Sequence, residues 1–177
     1  MQRLIAMRHA KTEAWYEGVD DHGRALTERG HEDAARVAEA IAQEGWRADL
    51  ALVSTARRAR ETWNAMRPLH IGAGVKLLDD LYLASPGILA DLVEAHAGEG
   101  GCVILVGHNP GIHDFARDIA RLGGGGDTQM LARLREKFPT GAAALFEAGE
   151  DGPFVPALFR LVELFRPKDL RDDPAAP

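Results

Sequence analysis

Four side chains set the chemistry open to this chain: Arg8 and His9 in LIAMRHAKTEAW, Arg58 in STARRARETW and His108 in VGHNPGIHDFA. A guanidinium keeps its charge at every working pH, and its planar fork binds phosphoryl oxygens in pairs. A neutral imidazole is a nucleophile near pH 7 once its second nitrogen donates a hydrogen bond that fixes the tautomer. Two arginines and two histidines brought together make a cationic cup for a dianionic phosphoryl group, with free phosphate or sulfate as simple occupants. In such a cup His9 takes the phosphoryl group from a donor and passes it to water, which splits one difficult transfer into two. Arg8, Arg58 and His108 stabilise charge on the equatorial oxygens. These fixed cations supply the electrostatic stabilisation, so the chemistry calls for no metal and no organic cofactor.

The apolar patterning says how residues so far apart in sequence meet. LIAM (Leu4 to Met7), LALV (Leu50 to Val53) and VILV (Val103 to Val106) have the length and branching of strands buried on both faces. Helical segments separate them. One has Thr27 as cap, a stripe through Ala34, Val37, Ala38 and Ile41, and Gly45 as stop. Another has Ser85 as cap, Pro86 as first residue, and Ile88, Leu89, Leu92 and Val93 as its buried face. Alternating strands and helices predict a three-layer α/β/α sandwich with a mostly parallel sheet. The carboxyl ends of parallel strands share one edge, where ligands bind. The three runs lead into Arg8–His9, into Ser54 and its basic helix, and into Gly107–His108. Ser54 as a helix cap directs Arg58 into the crevice and leaves Arg57 and Arg60 solvated. Asn109 as cap and Pro110 as first helical residue set His108 beside a helix N-terminus, which favours an anion.

The last third differs. GGGG at Gly123 to Gly126 reads as a flexible linker, and it lacks the lysine and hydroxyl residue of a phosphate loop. Asp127 caps a short helix reaching Glu136, and GAAALFE and ALFRLVELF form a hairpin at a sheet edge. The expected domain spans residues 1–167, with a frayed tail over 168–177.

At 177 residues and 46% hydrophobic content, one α/β domain accounts for the whole chain. A net charge of −6 argues against nucleic acid and anionic lipid as partners, so any anion site is local. No apolar run reaches the roughly 20 residues needed to span a bilayer, and the N-terminus lacks a secretory leader. A cytoplasmic location is expected. Cys102, the single cysteine, lies in CVILV and reads as a core thiol. His22, His31, His70 and His96 lie in polar segments and are expected at the surface, and His113 lacks metal-ligand spacing to His108. Trp15, Trp46 and Trp63 read as core or rim packing. Lys11 and Thr12 directly follow His9 and are candidates to touch the bound group.

MRHAKTEAW, STARRARETW and VGHNPGIHDFA resemble the three signatures of the histidine phosphatase superfamily in their usual order. RHAK and KFPTGAAAL are similar to its SixA-type phosphohistidine phosphatase branch. The resemblance implies the phosphoglycerate mutase-like fold without a large cap insertion. It also implies His9 as the phosphoryl acceptor, with Arg8, Arg58 and His108 completing the pocket. Ala10 stands where most of the superfamily has glycine, as in SixA-like members. The nearest match to the family's acidic proton donor is Asp80 in LLDDLYLAS. By the same resemblance the substrate is phosphohistidine on a protein such as a histidine-containing phosphotransfer domain in signal transduction. Its imidazole leaves more easily than an alkoxide and needs less acid assistance. Two other readings stay open: a phosphomonoesterase acting on small esters, and a noncatalytic phosphate-recognition module.

Overall fold

The three apolar runs become neighbouring strands. In a computed structural model, residues 1–18, 20–70 and 72–171 are described. They include strands β1 (Arg3–Arg8), β2 (Leu50–Ser54), β3 (Gly74–Leu78), β4 (Cys102–Gly107), β5 (Ala143–Ala148) and β6 (Phe159–Phe165). One sheet runs β3-β2-β4-β1-β5-β6. The first four strands are parallel, and the β5–β6 hairpin joins β1 antiparallel at the far edge, as expected.

Alternate residues of each central strand face opposite layers. Leu4, Ala6, Leu50, Leu52, Val103 and Leu105 pack under helices α3 (Pro86–His96) and α4 (Gly111–Leu122). Ile5, Met7, Ala51, Val53, Ile104 and Val106 pack under α1 (Glu28–Gln43) and α2 (Arg57–Ala65). This is the α/β/α sandwich. The hydroxyls of Thr27 and Ser85 accept from Gly30 and Ile88 at the starts of α1 and α3, and Asp127 caps α5 (Thr128–Glu136). Cys102 is buried, and burial pushes its thiol up to about 12.

Several local expectations are corrected. β3 is an additional strand; at the sheet edge it exposes Val75 and Leu77, so neither a buried run nor alternation marks it. Ile88 is exposed and Leu92 half-buried, because α3 buries Leu89 and Val93 against the sheet and packs Leu92 only at the margin of that core. Ser54 ends β2 instead of capping α2, which follows Ala56 without a side-chain cap. Likewise α4 begins at Gly111, and Asn109 does not cap it; the Asn109 amide donates to the Phe138 carbonyl at 3.1 Å. The glycine run is not a loose linker. A Cβ on Gly123 would lie 1.9 Å from the Phe159 carbonyl oxygen, so α4 ends in backbone contact with β6 that only glycine permits. The expected tail is helical as far as Arg171 in α6 (Pro167–Arg171). Asp169 binds Arg133 and Arg166 there, and Arg171 binds the buried Asp33. The remainder of that tail, 172–177, lies outside the described residues. No described helix is long and apolar enough to cross a membrane.

Candidate active site

Strand register brings the two histidines side by side. β1 pairs with β4 so that Arg8 lies opposite Gly107, and the next residues, His9 and His108, stand with ring centroids 5.1 Å apart. β2 flanks β4 on its other side and ends at Ser54, whose Oγ lies 2.9 Å from His108 Nε2. His9 is fixed through its backbone and its ring. Its N–H donates to the Gly107 carbonyl, and the next amide, Ala10 N–H, donates to Thr62 Oγ1 at 2.9 Å. Thr62 in turn donates to the Arg58 carbonyl at 2.7 Å. His9 Nδ1 lies 2.8 Å from the Ala10 carbonyl. A carbonyl only accepts, so Nδ1 carries the proton and Nε2 keeps its lone pair.

These contacts give a physical meaning to the spacing of Ser54, Arg58, Ala59 and Thr62. Ser54 holds His108, Arg58 enters the cup, Ala59 packs with no exposed surface, and Thr62 holds the turn after His9. Arg58 is 3% exposed although it is charged. Its Nη1 donates to the Asp21 carbonyl oxygen at 2.5 Å and its Nη2 to Asp21 Oδ2 at 3.0 Å. Asp21 also accepts from the Tyr82 hydroxyl at 2.8 Å and from Arg24 Nη1 at 3.0 Å. The Tyr82 ring stands edge-on to His108, 5.4 Å between centroids, and to His22 at 4.9 Å.

The cup contains donors with nothing to bind. Arg8 Nη1 donates to the Phe138 carbonyl, but Arg8 Nε, Arg24 Nε and His108 Nδ1 are buried without partners among the described residues. His108 Nε2 pairs with the Ser54 hydroxyl, and Nδ1 is the ring nitrogen left without a partner. A buried, unpaired donor costs about 1–3 kcal/mol. Arg8 Nε and Arg24 Nε are such donors and suit a ligand that offers acceptors, as a phosphoryl group does, while Asn109 Oδ1 is a buried acceptor likewise without a partner. Burial also controls ionisation. It lowers His9 to about 4, with the Arg58, Arg8 and Arg24 charges adding to the effect. It lowers His108 to about 3, reinforced by His9 and Arg58. Both rings are neutral at pH 7. The Tyr82 hydrogen bond, then Arg24 and Arg58, bring Asp21 down to about 2, so it is ionised.

Arg8, His9, Arg58 and His108 are therefore brought together. Thr12 and Lys11 are not in the cup: Thr12 accepts from Arg24 Nη2 at 2.8 Å, and the Lys11 side chain is exposed. Asp80 is exposed in the 3-10 turn Asp79–Leu81 and bonds to none of these groups. The turn buries Leu81 and directs Tyr82 to the site, which leaves Asp80 facing water. His113 donates to the Leu134 carbonyl and stacks on Phe138. His22, expected at the surface, is half-buried against Tyr82. Asp21, His22, Arg24 and Tyr82 were not singled out as site residues. The charged run DDHGR, separated from the Thr27 cap by Ala25 and Leu26, and an aromatic residue after LLDDL, were the available signals.

The fold and this cup define a phosphatase. The Histidine phosphatase superfamily (branch 1) description matches residues 4–82. The uncharacterised protein Rv1276c of Mycobacterium tuberculosis is 32% identical over 163 residues, covering 92% of this chain and all of that one. A protein from Nakamurella multipartitia, provisionally assigned as phosphohistidine phosphatase SixA, superposes with a TM-score of 0.80 at 26% identity. The match covers 94% of this chain and 96% of the other. An Agrobacterium tumefaciens structure with the same provisional assignment gives 0.77 at 28% identity, covering 93% and 98%. The chain belongs to the histidine phosphatase superfamily, and its likeness is to the SixA-type branch.

Proposed function

We propose that the enzyme dephosphorylates phosphohistidine on a protein, with a histidine-containing phosphotransfer domain as the model substrate, and that His9 carries the phosphoryl group between two half-reactions. In the first, His9 Nε2 bonds to phosphorus while the bond from phosphorus to the substrate imidazole breaks. The departing imidazole leaves as the neutral ring, its other nitrogen having taken a proton from solvent. In the second, water attacks phosphorus, loses a proton to solvent and releases inorganic phosphate from His9. The observation that carries this reading is the His9 ring itself: Nδ1–H held by the Ala10 carbonyl, Nε2 free, and unpaired donors around it. Arg8, Arg58 and His108 hold the equatorial oxygens. A phosphoramidate suits the site better than an alkyl ester, because the carboxylate in the cluster, Asp21, is ionised and holds no proton to give an alkoxide. A buried, unpaired thiol is compatible with the reducing cytoplasm.

The test is rapid quench after mixing with a phosphorylated phosphotransfer domain. An acid-labile, alkali-stable phosphoryl adduct on His9, absent from His9→Ala, is expected. Phosphate binding without an adduct would identify a recognition module. Turnover of p-nitrophenyl phosphate far faster than of the phosphodomain would identify a small-ester phosphatase.

A further inference from the structure

Two aromatic side chains and a leucine stand in water beside the cup. Trp15 and Tyr16 are each 61% exposed, and Leu83 is 55% exposed. Single exposed apolar residues are ordinary, but short paths tie these three to the groups around His9. The loop bearing Trp15 and Tyr16 departs at Ala10, held by Thr62, and returns at Asp21, held by Arg58. Its base is closed by the bridge between Thr12 and Leu26 and by Arg24, which donates to Thr12 Oγ1 and to the Glu13 carbonyl. Asp21 also accepts from Tyr82, and Leu83 is the next residue after Tyr82. The loop and the turn are thus fastened to one another at the cup.

Leu83 carries a second signal. Its φ is 51°, the one positive value at a non-glycine position among the described residues. The left-handed region is unfavourable for a side chain with a Cβ. Leu83 is not buried, so no core packing offsets that cost. Strain kept beside a site, presenting an apolar side chain to water, points to a contact made with something else.

The position of the rim decides what that something is. The loop and the turn that carry these side chains are both held at the cup, so the occupant they point to is the carrier of the phosphoryl group. Glu13, Glu17, Asp20, Asp79 and Asp80 are exposed on the same two segments, against one exposed cation there among the described residues, Lys11. They repel a small ester that brings only negative charge, and they complement a protein surface bearing lysine or arginine. Tryptophan and tyrosine are the residue types that most often anchor such surfaces. We infer that Trp15, Tyr16 and Leu83 form a docking rim for a phosphoprotein whose phosphohistidine projects from an apolar patch edged with basic residues. This rests on the phosphohistidine reading above.

Two substrates with the same leaving group separate docking from chemistry: a histidine-containing phosphotransfer domain phosphorylated with phosphoramidate, and free N-phosphohistidine. Trp15→Ser combined with Tyr16→Ser, and separately Leu83→Gly, are expected to lower kcat/KM on the phosphodomain at least tenfold. On free phosphohistidine each variant should stay within twofold of wild type, which also certifies folding. Equal losses on both substrates, or no loss on the phosphodomain, would overturn the rim and leave the proposed reaction standing. A wild-type enzyme that turns over free phosphohistidine but not the phosphodomain would overturn the rim and the protein substrate together, leaving only the His9 chemistry. Absence of a His9 adduct in the wild type would instead remove the phosphatase mechanism, and the rim with it.

Discussion

Acid should destabilise this protein through His9, the proposed phosphoryl acceptor. His9 titrates near 6.5 in the unfolded chain and at about 4 in the folded one, because burial opposes its charged form. Above pH 6.5 neither state binds the proton and His9 is neutral to stability. As pH falls below 6.5 the unfolded chain takes up a proton that the folded protein refuses, so stability is lost until the folded value is reached. Between pH 7.5 and 4.5 this amounts to about 2.5 kcal/mol from His9 alone, at 1.36 kcal/mol for each pH unit. Other carboxylates and histidines also contribute, so the quantity to measure is a difference. Urea unfolding of wild type and of His9→Gln at both pH values cancels the shared groups. The variant should lose about 2.5 kcal/mol less stability over this range. Saturating phosphate should protect the wild type at pH 4.5 more than the variant, because an anion favours protonated imidazole. Parallel curves for the two proteins would refute the claim that His9 is buried and neutral.

Thr62→Val removes the acceptor for Ala10 N–H and leaves that buried donor unpaired; a loss of about 1–3 kcal/mol in urea unfolding is expected. The turn holding His9 loosens with it, so kcat should fall more than KM rises. Asp21→Asn deletes the charge that clamps Arg58, leaving the cup more positive and the guanidinium less fixed. Inorganic phosphate should then inhibit at several-fold lower concentration while kcat falls about tenfold, read by steady-state kinetics with product inhibition. Gly123→Ala forces a methyl group against the Phe159 carbonyl. A cost of about 2–3 kcal/mol, or roughly 5–10 °C in Tm, is expected by calorimetry with kinetics unchanged.

How much of this was legible in the sequence follows from what each residue must satisfy. Buried parallel strands are apolar on both faces, so LIAM, LALV and VILV announce themselves, and their ends predict where Arg8, His9 and His108 converge. Thr27, Ser85 and Asp127 declare helix starts because a cap satisfies a local donor. β3 was hidden since an edge strand with exposed Val75 and Leu77 has no buried pattern to read. Ser54 and Asn109 misled for a related reason. A good capping residue is also a good hydrogen-bond partner at longer range, and here His108 and Phe138 use them. Asp21 and Tyr82 were invisible as a pair, being 61 residues apart and joined only in the fold. Gly123 looked like slack because sequence shows a missing side chain, not the carbonyl that occupies its place.

The neutrality of both histidines makes the charge balance of the cup a matter of guanidinium and carboxylate alone. Arg8, Arg24 and Arg58 act on His9, and Asp21 is the carboxylate bonded among them, which leaves two net positive charges against the protein's overall −6. A phosphoryl group carries two negative charges, so the cup is matched to the group being transferred. Were His9 protonated, the match would improve and the reaction would stop, because Nε2 would have no lone pair. Burial separates these roles: it removes the proton from His9, the proposed nucleophile, and leaves the arginines, whose charge persists, to hold an anion. The Tyr82 hydroxyl, Arg24 and Arg58 hold Asp21 ionised, so it has no proton to give, which shifts the demand for a good leaving group onto the substrate. An imidazole meets that demand and an alkoxide does not.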